Sequence, residues 1–65
     1  MQIQLNGAAR ETAAESLQQL VDELGLEART IAIELNREVA PRSRWADTLI
    51  HDQDCIEIVH MIGGG

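Results

Sequence analysis

The chain has 65 residues and a formal net charge of −6, with 11 acidic residues against five basic ones. A chain of this length forms one domain and buries only about 60% of its unfolded surface, which disfavours an autonomous enzyme with its own substrate pocket. The acidic balance argues against nucleic acid as a partner, because phosphates require clustered cations, and it favours a basic protein surface.

The cysteine content and hydropathy pattern indicate a cytoplasmic protein. The single cysteine, Cys55, excludes an intramolecular disulfide and suits a reducing compartment. Residues 1–6 alternate polar and apolar side chains, unlike the apolar core of a secretory signal, and no apolar run approaches the length of a membrane span. We therefore expect a soluble protein with no membrane partner.

The chain begins with the pattern of a β-hairpin. Apolar side chains alternate with glutamines over residues 1–5, which is the period of a half-buried strand. Asn6-Gly7 follows, a strong hairpin signal because both residues tolerate positive φ. A second, weaker strand is predicted over residues 9–12.

Residues 16–25 predict an amphipathic helix. Ser16 is a suitable N-cap, Gln19 is placed to complete a capping box, and Gly25 lies where a left-handed C-terminal residue is needed. The apolar positions form one stripe at helical spacing, consisting of Leu17, Leu20, Val21 and Leu24.

Three further strands are predicted in the second half of the chain. Residues 30–35 alternate with a period of two, and Asn36-Arg37 marks a turn before a short strand at residues 39–40, which Pro41 ends. Residues 42–54 are predicted to be irregular. The last strand is predicted over residues 55–61.

The core-facing side chains of this half can also be assigned. Trp45 and Leu49 are the predicted anchors of the irregular segment in the core, and Ile56 and Ile58 face inward from the last strand.

The order β-β-α-β-β-β predicts an α+β domain in residues 1–61, with one helix packed across a mixed sheet of four to five strands. Residues 62–65 are predicted to form a flexible, glycine-rich tail.

Two apolar residues, Val59 and Met61, share the outward parity of the polar strand positions. Either the strand bends at its end and buries them, or they form a docking patch for a partner together with Ile62.

His51, Cys55 and His60 do not predict a metal or catalytic site. Cys55 and His60 are an odd number of residues apart and point to opposite faces of a regular strand, and the cysteine has acidic neighbours.

The chain ends in Gly63, Gly64 and Gly65. These glycines are either a frayed end or a working segment. Because they lack Cβ atoms, an enzyme could close around their backbone, and the unhindered Gly65 carboxylate could be activated by adenylation.

These residues together resemble a known family. "QIQLNG", "ESLQQLVDELGL", "AIELNREVAPRSRW" and the terminal "DQDCIEIVHMIGGG" are similar, over the full length, to the thiamine-biosynthesis sulfur carriers of the ThiS type. The resemblance implies a ubiquitin-like β-grasp fold in which the first and last strands pair in parallel. It also implies that the protein is a co-substrate of other enzymes and has no catalytic residues of its own.

The resemblance further implies the chemistry of the tail and the partners. An E1-like adenylyltransferase would bind Gly63 and Gly64 and adenylate Gly65 with its own ATP and Mg²⁺. Sulfur supplied through a cysteine desulfurase would convert the carboxylate to a thiocarboxylate, which a thiazole synthase would consume. Three alternatives remain open at this point: a carrier of the molybdopterin synthase small-subunit type, a ubiquitin-like protein modifier, and a purely structural module with an incidental tail.

Overall fold

A five-stranded mixed sheet carries one α-helix across one face in the computed structural model, which describes residues 1–61. The elements in chain order are β1 (Gln2–Leu5), β2 (Ala8–Glu11), α1 (Leu17–Leu24), β3 (Ile31–Leu35), β4 (Glu38–Ala40) and β5 (Cys55–His60), with 3₁₀ helices at Ala28–Thr30 and Arg42–Asp47. The predicted α+β class and the predicted order of helix and strands along the chain are confirmed. In the described residues no helix is long and apolar enough to cross a membrane.

The last strand lies in the centre of the sheet. The spatial order is β2-β1-β5-β3-β4, with β5 parallel to β1 and antiparallel to β3. This parallel pairing is the one that the family resemblance implied. As a consequence, the chain reaches its C-terminal segment from the middle of the sheet and not from an edge.

Both hairpins turn through two residues with positive φ. Asn6 and Gly7 have φ values of 50° and 83° between β1 and β2, and Asn36 and Arg37 have values of 51° and 73° between β3 and β4. Two successive residues with positive φ are the mark of the turn whose twist matches a β-hairpin, and asparagine tolerates that conformation well. Both predicted turns are confirmed.

The caps of α1 differ from the prediction in one detail. The Ser16 hydroxyl accepts a hydrogen bond from the Gln19 N–H at 3.2 Å, as expected for an N-cap. The Gln19 side chain accepts from the Glu15 N–H at 2.7 Å, whereas a regular capping box would use the N–H of the cap residue itself. At the other end Gly25 has a φ of 69°, which confirms the predicted left-handed cap.

The core lies between α1 and the inner face of the sheet. Trp45 closes one end of it, since its ring is buried and its Nε1–H donates to the Ala40 carbonyl at 2.8 Å. The predicted helical stripe and the inward strand residues are confirmed, with Leu24 only half-buried. The buried apolar residues are Ile3, Ala14, Leu17, Leu20, Val21, Ile31, Ile33, Trp45, Ile50, Ile56 and Ile58.

The prediction that Leu49 anchors the core is wrong. Its side chain is 59% exposed, and Ile50 is buried in its place at 5%. The segment runs extended beside the start of α1, where Leu49 pairs with Ser16 in an isolated bridge. Successive side chains of an extended segment point to opposite sides, so only one of the two neighbours can enter the core.

A polar cluster joins β2 to α1. The Glu23 carboxylate accepts hydrogen bonds from the Thr12 hydroxyl at 2.8 and 3.0 Å and from Arg10 Nη2 at 3.2 Å. The Thr12 hydrogen bond, followed by the hydrogen bond and charge of Arg10, outweighs partial desolvation and lowers the pKa of Glu23 below its ordinary value of 4.5.

The lowered pKa of Glu23 predicts an acid-sensitive contribution to stability. The contribution is present above the unfolded-state pKa of about 4.5 and is lost as the pH falls through the lower folded-state value. We expect the Glu23→Gln variant to lose less melting temperature than the parent between pH 5 and pH 3, as measured by circular dichroism. An equal loss in both proteins would show that Glu23 contributes nothing to the acid response.

Candidate functional site

The end of β5 forms the base of the C-terminal segment. Beyond His60 the Met61 N–H donates to the Thr30 carbonyl at 2.8 Å, so the chain is held beside the start of β3 up to that residue. Ile62, Gly63, Gly64 and Gly65 lie outside the described residues. Their predicted roles in docking, recognition and activation therefore stay predictions, as does the boundary between residues 1–61 and 62–65.

The outward orientation of the two apolar residues before the tail is confirmed. Val59 is 55% exposed and Met61 is 53% exposed, whereas Ile56 and Ile58 on the opposite parity are buried. The alternative in which the strand bends and buries Val59 and Met61 is wrong. Their predicted role in binding a partner has still to be tested.

The register of β3 and β5 places Ala32 beside Val59 on the outer face of the sheet. We call the group of Ala32, Val59 and Met61 the tail-base patch. The next outward-facing pair along the same two strands is Glu34 and Glu57, which lie directly opposite each other. Two like charges in that position destabilise a sheet. The tail-base patch is thus bordered by carboxylates along the two strands and by two arginines on the side where Ala32 and Met61 line a groove, so a partner has apolar groups and charges of both signs to match.

A surface groove of about 450 Å³ adjoins the same end of the sheet. It lies between the start of β3, the end of β4 and the second 3₁₀ helix, and Met61 and Trp45 contribute to its walls. The sequence reasoning missed this groove, because its walls depend on how the segment after Pro41 folds back toward β3. None of the described residues that line it is Asp, Glu, His, Cys, Ser or Thr, so they supply neither a general base nor a nucleophile.

The histidines and the cysteine do not assemble into a site within residues 1–61. No group of three His, Cys, Asp or Glu side chains in this range is arranged to hold a metal ion. Cys55 is exposed, and its backbone N–H donates to Asn36 Oδ1 at 2.9 Å. His51 Nδ1 is 3.9 Å from Asp54 Oδ2, as part of the loop before β5. The absence of a metal and of catalytic residues stays a prediction.

The orientation of Val59 makes the docking prediction testable apart from folding. We expect the Val59→Asp variant to melt like the parent protein, because the side chain is already more than half exposed. If a partner covers this position, the new charge is desolvated without a counter-ion, at a cost of several kcal/mol. We expect binding to the adenylyltransferase or the thiazole synthase to weaken at least about tenfold, which is 1.4 kcal/mol, measured by titration calorimetry.

A matched control for Val59→Asp is Leu49→Asp. Leu49 is equally exposed, at 59%, but lies beside the start of α1 and not on the outer sheet face. This variant is expected to bind like the parent. Unchanged binding of a folded Val59→Asp protein would place the docking surface elsewhere.

Comparison with known proteins identifies a family and close structural relatives. A family model described as "ThiS family" matches residues 3–65. The chain is 34% identical to the sulfur carrier protein ThiS of Bacillus subtilis, over 97% of this chain and 98% of that protein. The crystal structure of the thiamine biosynthesis protein (ThiS) from Geobacter metallireducens superposes with a TM-score of 0.87 at 30% identity and covers 100% of both chains.

A different kind of relative is much longer. The chain is 39% identical to a thiazole synthase from Paramagnetospirillum magneticum over 100% of its own length but only 20% of that protein. The chain thus spans about a fifth of the length of the thiazole synthases it matches. With the strand order described above, the structural likeness confirms the ubiquitin-like β-grasp fold.

Proposed function

This chain belongs to the ThiS family, and on that premise we propose that it is a sulfur carrier for synthesis of the thiazole moiety of thiamine. The observation that carries the proposal is the family match over residues 3–65, which includes all three terminal glycines. Relatives of the same length that are named sulfur carrier proteins support it.

The working group in this proposal is the Gly65 carboxylate. One of its oxygens attacks the α-phosphate of ATP, which releases pyrophosphate and leaves an acyl adenylate. A persulfide of the sulfur-donating partner then attacks the carbonyl carbon and displaces AMP, which gives an acyl disulfide. A second thiol of that partner cleaves the S–S bond, so that the thiocarboxylate is released and a disulfide is left on the partner. Glycine suits this position because it places no side chain beside the carbonyl carbon in these steps.

The folded body supplies recognition in this scheme. The tail-base patch is apolar, exposed and immediately before the tail, which is the arrangement that a partner needs to bind the body and receive the last residues together. Four residues such as 62–65 can reach at most about 13 Å, at roughly 3.3 Å per residue. This reach allows the carboxylate to enter a narrow active site while the sheet stays outside.

We propose that the protein is a co-substrate and that its partners are the catalysts. The described groove offers no acid–base or nucleophilic side chain, and ATP and Mg²⁺ belong in this scheme to an E1-like adenylyltransferase. A cysteine desulfurase supplies the sulfur. The thiocarboxylate is regenerated on the same chain after each transfer, in the cytoplasm.

Thiazole synthase is the proposed acceptor. The support is the match between this whole chain and about a fifth of longer proteins that are named thiazole synthases. When a carrier-like segment and the acceptor enzyme belong to one polypeptide, the effective concentration of the carrier near the enzyme is high. We propose that the tail-base patch serves this encounter.

The test is the intact mass of the protein after incubation with the adenylyltransferase, ATP and a sulfur donor. The expected result is a single product heavier by the replacement of one oxygen atom with sulfur, and no change when Gly65 is deleted or ATP is omitted. A covalent ladder of larger conjugates would favour the protein modifier. Transfer of sulfur to a pterin precursor, with none to thiazole, would favour the molybdopterin-type carrier.

A further inference from the structure

The side chain of Asn6 continues the pairing between β1 and β5 after β1 has ended. The parallel ladder comprises only Gln4 with Cys55 and Leu5 with Ile56, because the chain reverses at the Asn6-Gly7 turn. The Asn6 side chain then hydrogen bonds to both backbone groups of the next facing residue. Ile58 N–H donates to Asn6 Oδ1 at 2.8 Å, and Asn6 Nδ2 donates to the Ile58 carbonyl at 3.2 Å.

The other hairpin contains a counterpart at the opposite end of β5. Asn36 occupies the same turn position as Asn6, with nearly the same φ, and its Oδ1 accepts from the Cys55 N–H at 2.9 Å. Its Nδ2 donates to Asp54 Oδ1 at 3.1 Å. Asn36 therefore holds the start of β5 from the β3 side, whereas Asn6 holds the later part of the strand from the β1 side.

After Ile58 the strand is paired on one side only within the described residues. Val59 and His60 pair with β3, and the Met61 N–H donates to the Thr30 carbonyl, but β1 has already turned away. Asn6 thus makes the last hydrogen bonds on the β1 side before the tail-base patch. Without them, this end of β5 would be attached to the sheet along one edge alone.

We propose that Asn6 is a positioning residue for activation of the tail: its side chain fixes the direction in which the chain leaves the sheet, so that the Gly65 carboxylate is aligned with the adenylating site while the tail-base patch is bound. This inference rests on the proposed function. When the adenylating partner holds the tail extended, with a reach of at most about 13 Å, a rotation of roughly 20° at its base displaces the far end by about 4–5 Å. Misplacement of a reacting group by about 1 Å can already reduce a rate on the order of 100-fold.

The test compares Asn6→Gly with Asn36→Gly. Glycine keeps the positive φ of both turns, so each variant loses only its side-chain hydrogen bonds, two in each case. For Asn6→Gly we expect the Ile58 amide to exchange with solvent at least about tenfold faster. In ATP-dependent activation we expect kcat to fall about tenfold and KM to change less than about twofold, because binding through the patch is kept. For Asn36→Gly we expect both constants to stay within about twofold of the parent values.

Asn6→Asp serves as a second variant if Asn6→Gly does not fold. Its carboxylate keeps the acceptor for the Ile58 N–H and tolerates the turn, but its second oxygen replaces the donor and repels the Ile58 carbonyl oxygen, so kcat is again expected to fall. The positioning role would be overturned if a folded Asn6 variant had a faster-exchanging Ile58 amide and yet the same kcat as the parent. An equal fall in Asn36→Gly would also overturn it, because the effect would then reflect general stability of β5. A parent protein that is never activated would overturn the proposed function itself, and the positioning role with it.

Discussion

The Gly64→Val variant is expected to fold and melt like the parent and yet to resist ATP-dependent activation completely. Every buried apolar residue of the described core lies between Ile3 and Ile58, so the substitution leaves that core unchanged. A change of stability within roughly 0.5 kcal/mol is therefore expected. A β-branched side chain, in contrast, would obstruct an active site that closes around a glycine backbone.

Thermal melting measures the stability of the variant. Its activation is measured by intact mass after incubation with the adenylyltransferase, ATP and a sulfur donor. Deletion of Gly65 is the companion variant and is expected to be equally inactive, because it removes the reacting carboxylate from its place. Normal activation of Gly64→Val would show that the tail does not enter a narrow cleft.

The second large effect is expected in the core. Leu20 is completely buried in the middle of α1 and belongs to the same cluster as Ile33 and Ile58 from the sheet. Leu20→Ala should reduce the free energy of unfolding by about 2–5 kcal/mol, through lost apolar burial and the cavity left behind. In so small a domain this loss would leave a large fraction of molecules unfolded.

Urea denaturation gives the measurement for Leu20→Ala, and Leu24→Ala is its matched control. Leu24 lies on the same helical stripe but is only half-buried, so its truncation should cost clearly less. A loss below about 1 kcal/mol for Leu20→Ala would mean that the helix does not present this residue to the sheet.

Local signals in the sequence were sufficient for most of the secondary structure. The Asn6-Gly7 and Asn36-Arg37 turns need positive φ, and Ser16 and Gly25 meet the requirements of the two helix ends, so each element is specified by residues within or next to it. The alternation along β5 likewise predicted which side chains are buried and that Val59 is exposed.

Long-range features could not be obtained from such signals. Periodicity does not say which strands are neighbours, so the parallel pairing of β1 with β5 came from the family resemblance alone. The exchange of Leu49 for Ile50 in the core depends on how that segment pairs with Ser16. The hydrogen bonds from Asn6 to Ile58 join residues that are 52 positions apart in the chain, and no local pattern indicates them.

Some features of the candidate site could be predicted from the sequence, whereas others arise only from the fold. The sequence shows the terminal glycines and the parity of Val59 and Met61, and the fold brings Ala32 beside them. The groove next to Met61 arises only when the segment after Pro41 packs against the start of β3. The glycine content of the last residues therefore carried more functional information than any titratable side chain.

The most direct test of the sulfur-carrier proposal follows the sulfur atom itself. The chain is converted to its thiocarboxylate with a heavy isotope of sulfur, purified, and mixed with thiazole synthase and the remaining thiazole precursors in unlabelled form. The proposal predicts that the isotope appears in the thiazole product, with one labelled atom transferred for each chain that returns to the carboxylate. An unlabelled thiazole product formed while the labelled chain stays intact would contradict it.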